Sequence, residues 1–289
     1  MAGKSNLVTA AWLAEHLSDP SVIVADCRFD LAQPGAGVLH YRRGHIPGAV
    51  YLDLESDLSG PKQAHGGRHP LPDIQAFSQK MGALGIDAGV TVVAYDAQQG
   101  SNAARLWWML RYLGHGWVKV LDGGWTAWVG GGHPVTAALP VPTPRAFAPR
   151  ARPELLVELE ELRRRRREGV RLIDSRAPER YRGEVEPLDP VAGHIPGAGN
   201  MPWTENVDEQ GRLKPVPALA ERFEGLRGDE KPPVVYCGSG VTACVNLLAM
   251  EEAGVGGAGL YLGGWSDWCS YSENPVATAP DVRGAGSDH

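Results

Sequence analysis

Cysteine is scarce in this sequence: 289 residues contain only four, namely Cys27, Cys237, Cys244 and Cys269. So few cysteines in so long a chain exclude a fold that depends on a disulfide framework. No two of them have the Cys-x-x-Cys spacing, and no cluster of cysteine and histidine has the spacing of a zinc site. The sequence therefore predicts neither a bound metal nor a disulfide framework.

Long apolar runs and an excess of positive charge are also missing. No apolar stretch approaches the ~20 residues that a membrane-spanning helix needs, and residues 1–6 lead into no apolar signal core. These absences predict a cytoplasmic protein without a membrane partner. The formal net charge of −6 argues against a nucleic-acid partner, and the basic run 163–167, which lies among glutamates, is interpreted as a solvated helix face.

The most informative stretch is Val-Val-Tyr-Cys-Gly-Ser-Gly-Val-Thr, residues 234–242. An apolar run ends at Cys237, and the small residues that follow lead into a helical pattern; these are Gly238, Ser239, Gly240, Val241 and Thr242. We call residues 237–242 the Cys237 loop. A thiol between a strand end and a helix start lies near converging backbone N–H groups and the positive end of the helix dipole, so the thiolate is favoured. A buried core cysteine is the alternative, but Gly-Ser-Gly is poor core material.

Three blocks of the sequence occur twice, in the same order. Residues 44–49, Gly-His-Ile-Pro-Gly-Ala, recur at 193–198, and the Asp-Cys-Arg of 26–28 matches the Asp-Ser-Arg of 174–176. The Gly-Gly-Trp block near Trp125 returns near Trp265. Such repetition indicates two copies of one domain. We predict domains at 1–135 and 154–289, joined by a proline-rich linker over 136–153.

Short β-rich runs alternate with helical patterns in both copies. The predicted strands are 22–26, 90–95, 118–121, 170–174, 233–236 and 259–262, and the predicted helices are 12–17, 74–84, 104–112, 155–166, 216–224 and 243–252. This alternation predicts an α/β fold in which each domain has a parallel sheet covered by helices on both faces. Ligands collect at the carboxyl ends of such strands, which is where Cys237 stands.

The two copies differ at the residue that would do the chemistry. Tyr95-Asp96 in the first copy stands where Tyr236-Cys237 stands in the second, so one active centre per chain is expected. His45 and His194 occur in the repeated turn block in both copies, and we interpret them as residues that shape a loop. The remaining cysteines are interpreted as structural, although a resolving role for Cys244 and a redox-sensitive role for Cys269 stay alternatives.

The paired His-Ile-Pro-Gly-Ala blocks, the paired Gly-Gly-Trp blocks and the Cys237 loop together resemble the two-domain rhodanese-like sulfurtransferases over roughly residues 7–277. The resemblance implies an enzyme without a cofactor, in which Cys237 takes a sulfane sulfur as a persulfide and passes it to a thiol, cyanide or a partner protein. Gly238 and Ser239 resemble the loop of the 3-mercaptopyruvate type. The thiosulfate type usually carries charged residues there, and it remains the alternative.

The resemblance also implies a set of donor-binding and proton-relay residues. Arg180 matches a substrate-binding arginine, whereas Leu188 stands where mercaptopyruvate enzymes often have a second arginine, so Arg182 is a candidate substitute. The family is associated with an acid and a histidine from the first domain that reach the active loop. The best candidate for the histidine is His69, with His65 as an alternative, and the candidate acids are Asp53, Glu55 and Asp57. Ser239 with such a histidine is expected to relay a proton.

Two rival functions follow from the same residues. Cysteine-dependent phosphatases also place a thiolate in a strand–loop–helix cradle, but they need an arginine six or seven residues after the cysteine, and those positions here hold Ala243 and Cys244. Some rhodanese-like domains are catalytically silent or only carry a persulfide to a protein acceptor. The complete Cys237 loop argues against silence and leaves the carrier function open.

Overall fold

The computed structural model describes residues 5–278, which form two compact units. Within this range, unit 1 comprises residues 5–60, Leu71–Arg152 and Val207–Pro215, and unit 2 comprises Pro61–Pro70, Pro153–Asn206 and residues 216–278. The predicted boundaries give each domain one continuous range. In the structure, two short segments group with the other unit, and one of them, Pro61–Pro70, carries His69 into unit 2.

Unit 1 is an α/β unit with a five-stranded parallel sheet in the order β1-β5-β4-β2-β3. Its elements in chain order are β1 (Leu7–Val8), α1 (Ala10–His16), β2 (Val22–Asp26), α2 (Ala36–Arg43), β3 (Val50–Tyr51), α3 (Ile74–Ala83), β4 (Thr91–Tyr95), α4 (Ser101–Tyr112), β5 (Val118–Leu121) and α5 (Gly124–Gly130).

Unit 2 repeats that topology with the strand order β6-β10-β9-β7-β8, again all parallel. Its elements are β6 (Leu156–Val157), α6 (Leu159–Arg167), β7 (Leu172–Asp174), α7 (Pro178–Tyr181), β8 (Ala198–Asn200), α8 (Val216–Arg222), β9 (Val234–Tyr236), α9 (Ala243–Glu252), β10 (Gly259–Tyr261) and α10 (Gly264–Trp268), with single 3₁₀ turns at Pro153–Leu155, Trp203–Asn206 and Glu224–Leu226. The predicted fold class is therefore confirmed.

The repeated Asp-x-Arg block forms a buried ion pair at the carboxyl end of a strand in each unit. In unit 2, the Arg176 guanidinium binds the Asp174 carboxylate at 2.6 Å and donates to the Gly193 carbonyl at 2.6 Å. Burial alone would lower the pKa of Arg176, but Asp174 outweighs that effect and raises it. In each unit the pair ties the strand end to the turn that contains the repeated histidine. In unit 2 the strand that is tied in this way, β7, pairs with β9, which ends at the Cys237 loop.

The repeated histidines have structural contacts. The His194 ring stacks on Tyr181 with ring centroids 3.8 Å apart, and its Nδ1 lies 2.7 Å from the Tyr181 carbonyl oxygen. His45 repeats both contacts with Tyr41, at 4.0 Å and 2.7 Å. Both histidines are buried. These contacts agree with the interpretation that the repeated block shapes a turn.

The central strands agree with the prediction, and the short edge strands do not. β2 and β5 have the predicted bounds, and α9 does too, because buried β-branched runs and long helical periods are strong local signals. The predicted helix over 155–166 is wrong at its start. Residues 153–155 form a 3₁₀ turn, Leu156–Val157 pair with β10 as β6, and the helix begins only at Leu159.

Residues 137–152, most of the predicted linker, contain no helix or strand. Their backbone hydrogen bonds remain within unit 1, since the Arg145 amide donates to Gly82 and the Arg152 amide to Tyr112. Proline lacks an N–H donor and fixes φ, which explains why this proline-rich stretch makes isolated contacts rather than a ladder. Among the described residues, no helix has the length and apolar character to cross a membrane.

Candidate active site

Cys237 directly follows β9, and α10 holds the backbone of the loop that begins there. The Trp265 amide donates to the Cys237 carbonyl at 2.8 Å, and the Ser266 amide donates to the Gly238 carbonyl at 2.9 Å. In a trans peptide the N–H points opposite to the C=O. The amides of Gly238 and Ser239 therefore point away from α10.

Two glycines allow this close approach between the Cys237 loop and α10. Gly240 has φ +71°, and a Cβ there would lie 2.3 Å from the Leu262 carbonyl oxygen. Gly264 has φ +63°, and a Cβ there would lie 2.6 Å from the Cys237 carbonyl oxygen. At both positions the backbone conformation is left-handed and a side chain has no room, so both positions require glycine.

We expect Gly240→Ala to destabilise the protein by roughly 1–3 kcal/mol and to lower activity, because it combines a strained φ with a clash against a backbone carbonyl. Gly254→Ala is a matched control, since Gly254 also has a left-handed φ (+76°) but would place its Cβ in open space. Thermal unfolding and steady-state rates check both variants. Equal losses of activity in the two would contradict the packing role of Gly240.

In the corresponding loop of unit 1, backbone N–H groups bind an anion, the carboxylate of Asp96. The Asp96 carboxylate, which follows β4 as Cys237 follows β9, accepts four backbone N–H groups at 2.8–2.9 Å, from Gln98, Gly100, Asn102 and Ala103. Burial raises the pKa of Asp96, and these four donors oppose that shift. The Trp125 amide donates to the Asp96 carbonyl at 2.8 Å, as Trp265 does to Cys237. The repeated loop is therefore a backbone anion nest in unit 1.

Thr242 is the residue before the first turn of α9, but its hydroxyl does not cap the helix. The cap is missing because Thr242 has helical angles (φ −69°, ψ −22°). Side-chain capping usually requires an extended backbone at this position, as at Thr9 before α1.

Ser239 and His69 form the polar contact at the Cys237 loop. The His69 Nδ1 lies 2.8 Å from the Ser239 Oγ, and both residues are buried. The segment Pro61–Pro70 is held in unit 2 by further contacts: the Gly66 amide donates to the Asp267 carboxylate at 2.7 Å, and His65 stacks on Tyr271 at 4.0 Å. Of the two candidate histidines, the structure thus brings His69, and not His65, to Ser239.

Two guanidinium groups converge beside Gly238. A Cβ at position 238 would lie 2.8 Å from the Arg68 Nη2 and 3.6 Å from the Arg180 Nη1. Two buried carboxylates form ion pairs with these arginines. Glu186 accepts two hydrogen bonds from Arg180, at 2.6 Å and 3.2 Å, and Asp189 pairs with Arg68. Positive charge therefore lies next to the residue that follows Cys237.

The other predicted site residues have contacts with neighbouring side chains and backbone amides. The Arg182 guanidinium is paired with Glu184 at 2.7 Å, and its side chain is 41% exposed. Asp53 and Glu55 belong to unit 1, where the Asp53 carboxylate accepts the Tyr51 hydroxyl and the Glu55 amide. Arg182 therefore gains no support as a donor-binding residue from this geometry.

The sequence-based reasoning missed Arg68, Glu186 and Asp189. Glu186 has a lowered pKa: burial alone would raise it, but the hydrogen bonds and charge of Arg180 outweigh burial. A signal for Arg68 was present, because it directly precedes His69 in the same segment. Among residues 5–278, no group of three or more His, Cys, Asp or Glu side chains is placed to hold a metal ion.

The chain is similar to known sulfurtransferases. The sequence profile of the rhodanese-like domain matches it twice, at residues 9–130 and 158–271. The probable 3-mercaptopyruvate sulfurtransferase of Pseudomonas aeruginosa is 44% identical over 279 residues, which cover 95% of this chain and 98% of that protein. A putative thiosulfate sulfurtransferase of Mycobacterium tuberculosis is 38% identical over 277 residues, with 93% and 96% covered. The crystal structure of a 3-mercaptopyruvate sulfotransferase from Escherichia coli has a TM-score of 0.78 at 37% identity, covering 91% of this chain and all of that one.

Proposed function

This chain is an enzyme of the rhodanese-like sulfurtransferase family, and on that premise we propose that it moves a sulfur atom from 3-mercaptopyruvate, through a persulfide on Cys237, to a thiol or cyanide. The observation that carries the proposal is the Cys237 loop. The carbonyls of Cys237 and Gly238 are turned toward α10, and two guanidinium groups and the Ser239–His69 pair lie beside the loop. A nucleophile, positive charge for an anionic donor and a proton relay are thereby brought together at this loop.

In the first half-reaction, the Cys237 thiolate attacks the sulfur of the donor. The donor C–S bond breaks, its electron pair remains on carbon as the enolate of pyruvate, and the transferred sulfur stays on Cys237 as Cys–S–SH. The amides of the Cys237 loop stabilise the thiolate and later the persulfide anion. The four N–H donors around Asp96 in the equivalent loop support this assignment, because they bind a carboxylate at the position of Cys237.

The pyruvate enolate then takes up a proton. Ser239 lies in the Cys237 loop and its Oγ is 2.8 Å from the His69 ring, so a proton can pass from His69 through Ser239 to the enolate carbon. In the second half-reaction, a thiolate or cyanide attacks the outer sulfur. The S–S bond breaks, Cys237 leaves as the thiolate, and the acceptor departs as a persulfide or thiocyanate. No organic cofactor or metal has a step in this scheme.

We expect mercaptopyruvate to exceed thiosulfate in kcat/KM by roughly tenfold or more, because Gly238 and Ser239 give the loop no charge of its own for a dianionic donor. Parallel steady-state assays with cyanide as the acceptor measure the ratio. A clear advantage for thiosulfate would instead support the alternative function, which the name of the mycobacterial relative favours.

A persulfide carrier for a protein acceptor is the remaining alternative. Mass spectrometry of donor-treated protein should show the added mass of one sulfur atom in either case. Turnover with small acceptors separates the two functions: an enzyme regenerates Cys237 with cyanide or a small thiol, whereas a carrier retains the sulfur. A cytoplasmic location stays a prediction from the sequence.

A further inference from the structure

The two Gly-Gly-Trp blocks carry a carboxylate at different positions. In unit 1 the block begins with Asp122 and has Ala127 five residues later, whereas in unit 2 it begins with Leu262 and has Asp267 five residues later. Asp267 lies in α10 and is only 5% exposed. A carboxylate is costly to bury unless hydrogen bonds compensate for the lost water, so the partners of Asp267 indicate its role.

Each carboxylate oxygen of Asp267 accepts one short hydrogen bond. The Tyr261 hydroxyl donates to Oδ2 at 2.6 Å, and the Gly66 amide donates to Oδ1 at 2.7 Å. Burial and the charge of Asp267 raise the pKa of Tyr261, so the phenol stays protonated and remains a donor. The contact with Tyr261 joins β10 to α10, but the contact with Gly66 binds the segment Pro61–Pro70, which is distant in sequence.

The same segment packs closely against the residue before α10. Gly67 has φ +84°, and a Cβ there would lie 2.4 Å from the carbonyl oxygen of Gly263, the N-cap residue of α10. Gly263 also has no room for a side chain, because a Cβ there would lie 2.6 Å from the Asp267 Oδ2. The segment, the Asp267 carboxylate and the start of α10 therefore form one tightly packed contact.

This contact lies close to both partners of the proposed proton relay. His69 follows Gly67 by two residues, and its Nδ1 lies 2.8 Å from the Ser239 Oγ. The residues just before Asp267, Trp265 and Ser266, bind the carbonyls of the Cys237 loop through their amides. One short helix thus holds the loop by its backbone and the histidine segment by the Asp267 side chain.

Unit 1 binds its own inserted segment, Val207–Pro215, in a comparable way. The Leu213 amide donates to the Asp122 carboxylate at 2.8 Å. In both units, therefore, a carboxylate of the Gly-Gly-Trp block accepts a backbone amide of a segment that comes from the other copy of the repeat. The segment in unit 1 contains no histidine, so only the contact of Asp267 can serve a proton relay.

We propose that Asp267 is a positioning residue for sulfur transfer from mercaptopyruvate: its carboxylate fixes the segment Pro61–Pro70 so that His69 reaches Ser239 when the enolate forms. This inference rests on the proposed function. Asp267 acts through the Gly66 amide and exchanges no proton with the donor. Its contribution is therefore confined to the half-reaction in which the enolate is protonated.

Asp267→Ala, which gives unit 2 the residue that unit 1 has at this position, tests the role in the full-length enzyme. We expect kcat/KM for mercaptopyruvate to fall roughly tenfold, the loss of a hydrogen bond to a charged group. The value for thiosulfate should fall by no more than about threefold, because sulfite leaves without a proton. Asp267→Asn keeps an oxygen for the Gly66 amide and should recover most of the mercaptopyruvate value.

Two glycine variants test the same contact without changing the carboxylate, and they carry the test if Asp267→Ala folds poorly. Gly67→Ala places a methyl group against the Gly263 carbonyl and should lower the ratio of kcat/KM for mercaptopyruvate to that for thiosulfate. Gly66→Ala is the matched control, since Gly66 also has a left-handed φ (+93°) but its Cβ would meet only the Pro70 side chain, at 4.0 Å. It should leave the donor ratio near that of the wild type.

Dependence on His69 separates positioning from a general loss of stability. In the His69→Gln background, Asp267→Ala should change kcat/KM for mercaptopyruvate by no more than about twofold, because the residue through which it acts is already gone. A wild-type donor ratio in Asp267→Ala, or a loss that multiplies in full with that of His69→Gln, overturns the proposal and assigns Asp267 to the stability of α10 alone. A wild-type enzyme that takes no sulfur from mercaptopyruvate would instead refute the proposed function.

Discussion

Cys237→Ser is expected to lose sulfur transfer by roughly 10⁴-fold or more, because a serine hydroxyl is a far weaker nucleophile and cannot carry the sulfur as a persulfide. The variant should fold normally, since the oxygen replaces the sulfur without adding volume and the loop backbone is held by Trp265 and Ser266 rather than by the thiol. Turnover with both donors, the unfolding temperature and the intact mass after donor treatment together measure this outcome.

Cys269→Ser is the matched control for the nucleophile. Cys269 is also buried in unit 2, but burial and the nearby carboxylates of Asp189 and Glu186 raise its pKa to about 11, so it is a poor nucleophile. This variant should keep its turnover and still gain one sulfur on donor treatment. If it lost the added sulfur while Cys237→Ser kept it, the assignment of the nucleophile would be wrong.

The effect on kcat/KM of removing the Ser239–His69 proton relay should depend on the sulfur donor. We expect Ser239→Ala and His69→Gln each to lower kcat/KM for mercaptopyruvate by roughly 10²- to 10³-fold, because the pyruvate enolate must be protonated as it forms. With thiosulfate, the leaving group is sulfite, a stable anion that needs no proton for departure, so the loss should be much smaller. The ratio of kcat/KM for the two donors is therefore the readout.

A double variant and a control at His65 test whether Ser239 and His69 act together. In the double variant the losses should not multiply, because Ser239 and His69 act as one unit through a single 2.8 Å contact. His65→Gln removes a histidine of the same segment that contacts Ser270 and Tyr271 instead. It should leave the donor ratio unchanged, even if the anchoring of the segment suffers. Equal losses on both donors in Ser239→Ala would show that Ser239 serves the loop structure and not proton transfer.

The internal repeat also explains why only one of the two units is expected to be active. Both units have a strand that ends in tyrosine, a loop with a carbonyl bound by a tryptophan amide, and a helix after it. In unit 1 the nest already contains the Asp96 carboxylate, which uses four amides of its own loop. A carboxylate there excludes another anion by charge and by volume. The Asp96 carboxylate in the place of the Cys237 thiol accounts for the single active centre expected per chain.

The sequence by itself determined the features that depend on local chemistry. The alternation of apolar strands with helical periods gave the α/β class, the repeated blocks gave two copies, and the small residues after Cys237 gave the loop. These signals can be recognised in the sequence because each acts within a few residues. Hydrophobic periodicity decides whether a segment forms a helix or a strand, and glycine readily adopts the left-handed φ that Gly240 has. The predicted bounds of α9 agree with the structure for the same reason.

Only the tertiary structure decided the features that depend on pairing between distant segments. β1, β3 and β6 have two residues each and are strands only because a neighbouring strand accepts them. The position of the segment Pro61–Pro70 also depends on distant contacts, which bring Arg68 and His69 to the Cys237 loop, about 170 residues away along the chain. A guanidinium direction is set by the carboxylates that pack against it, here Asp189 and Glu186, and no local pattern encodes such a contact.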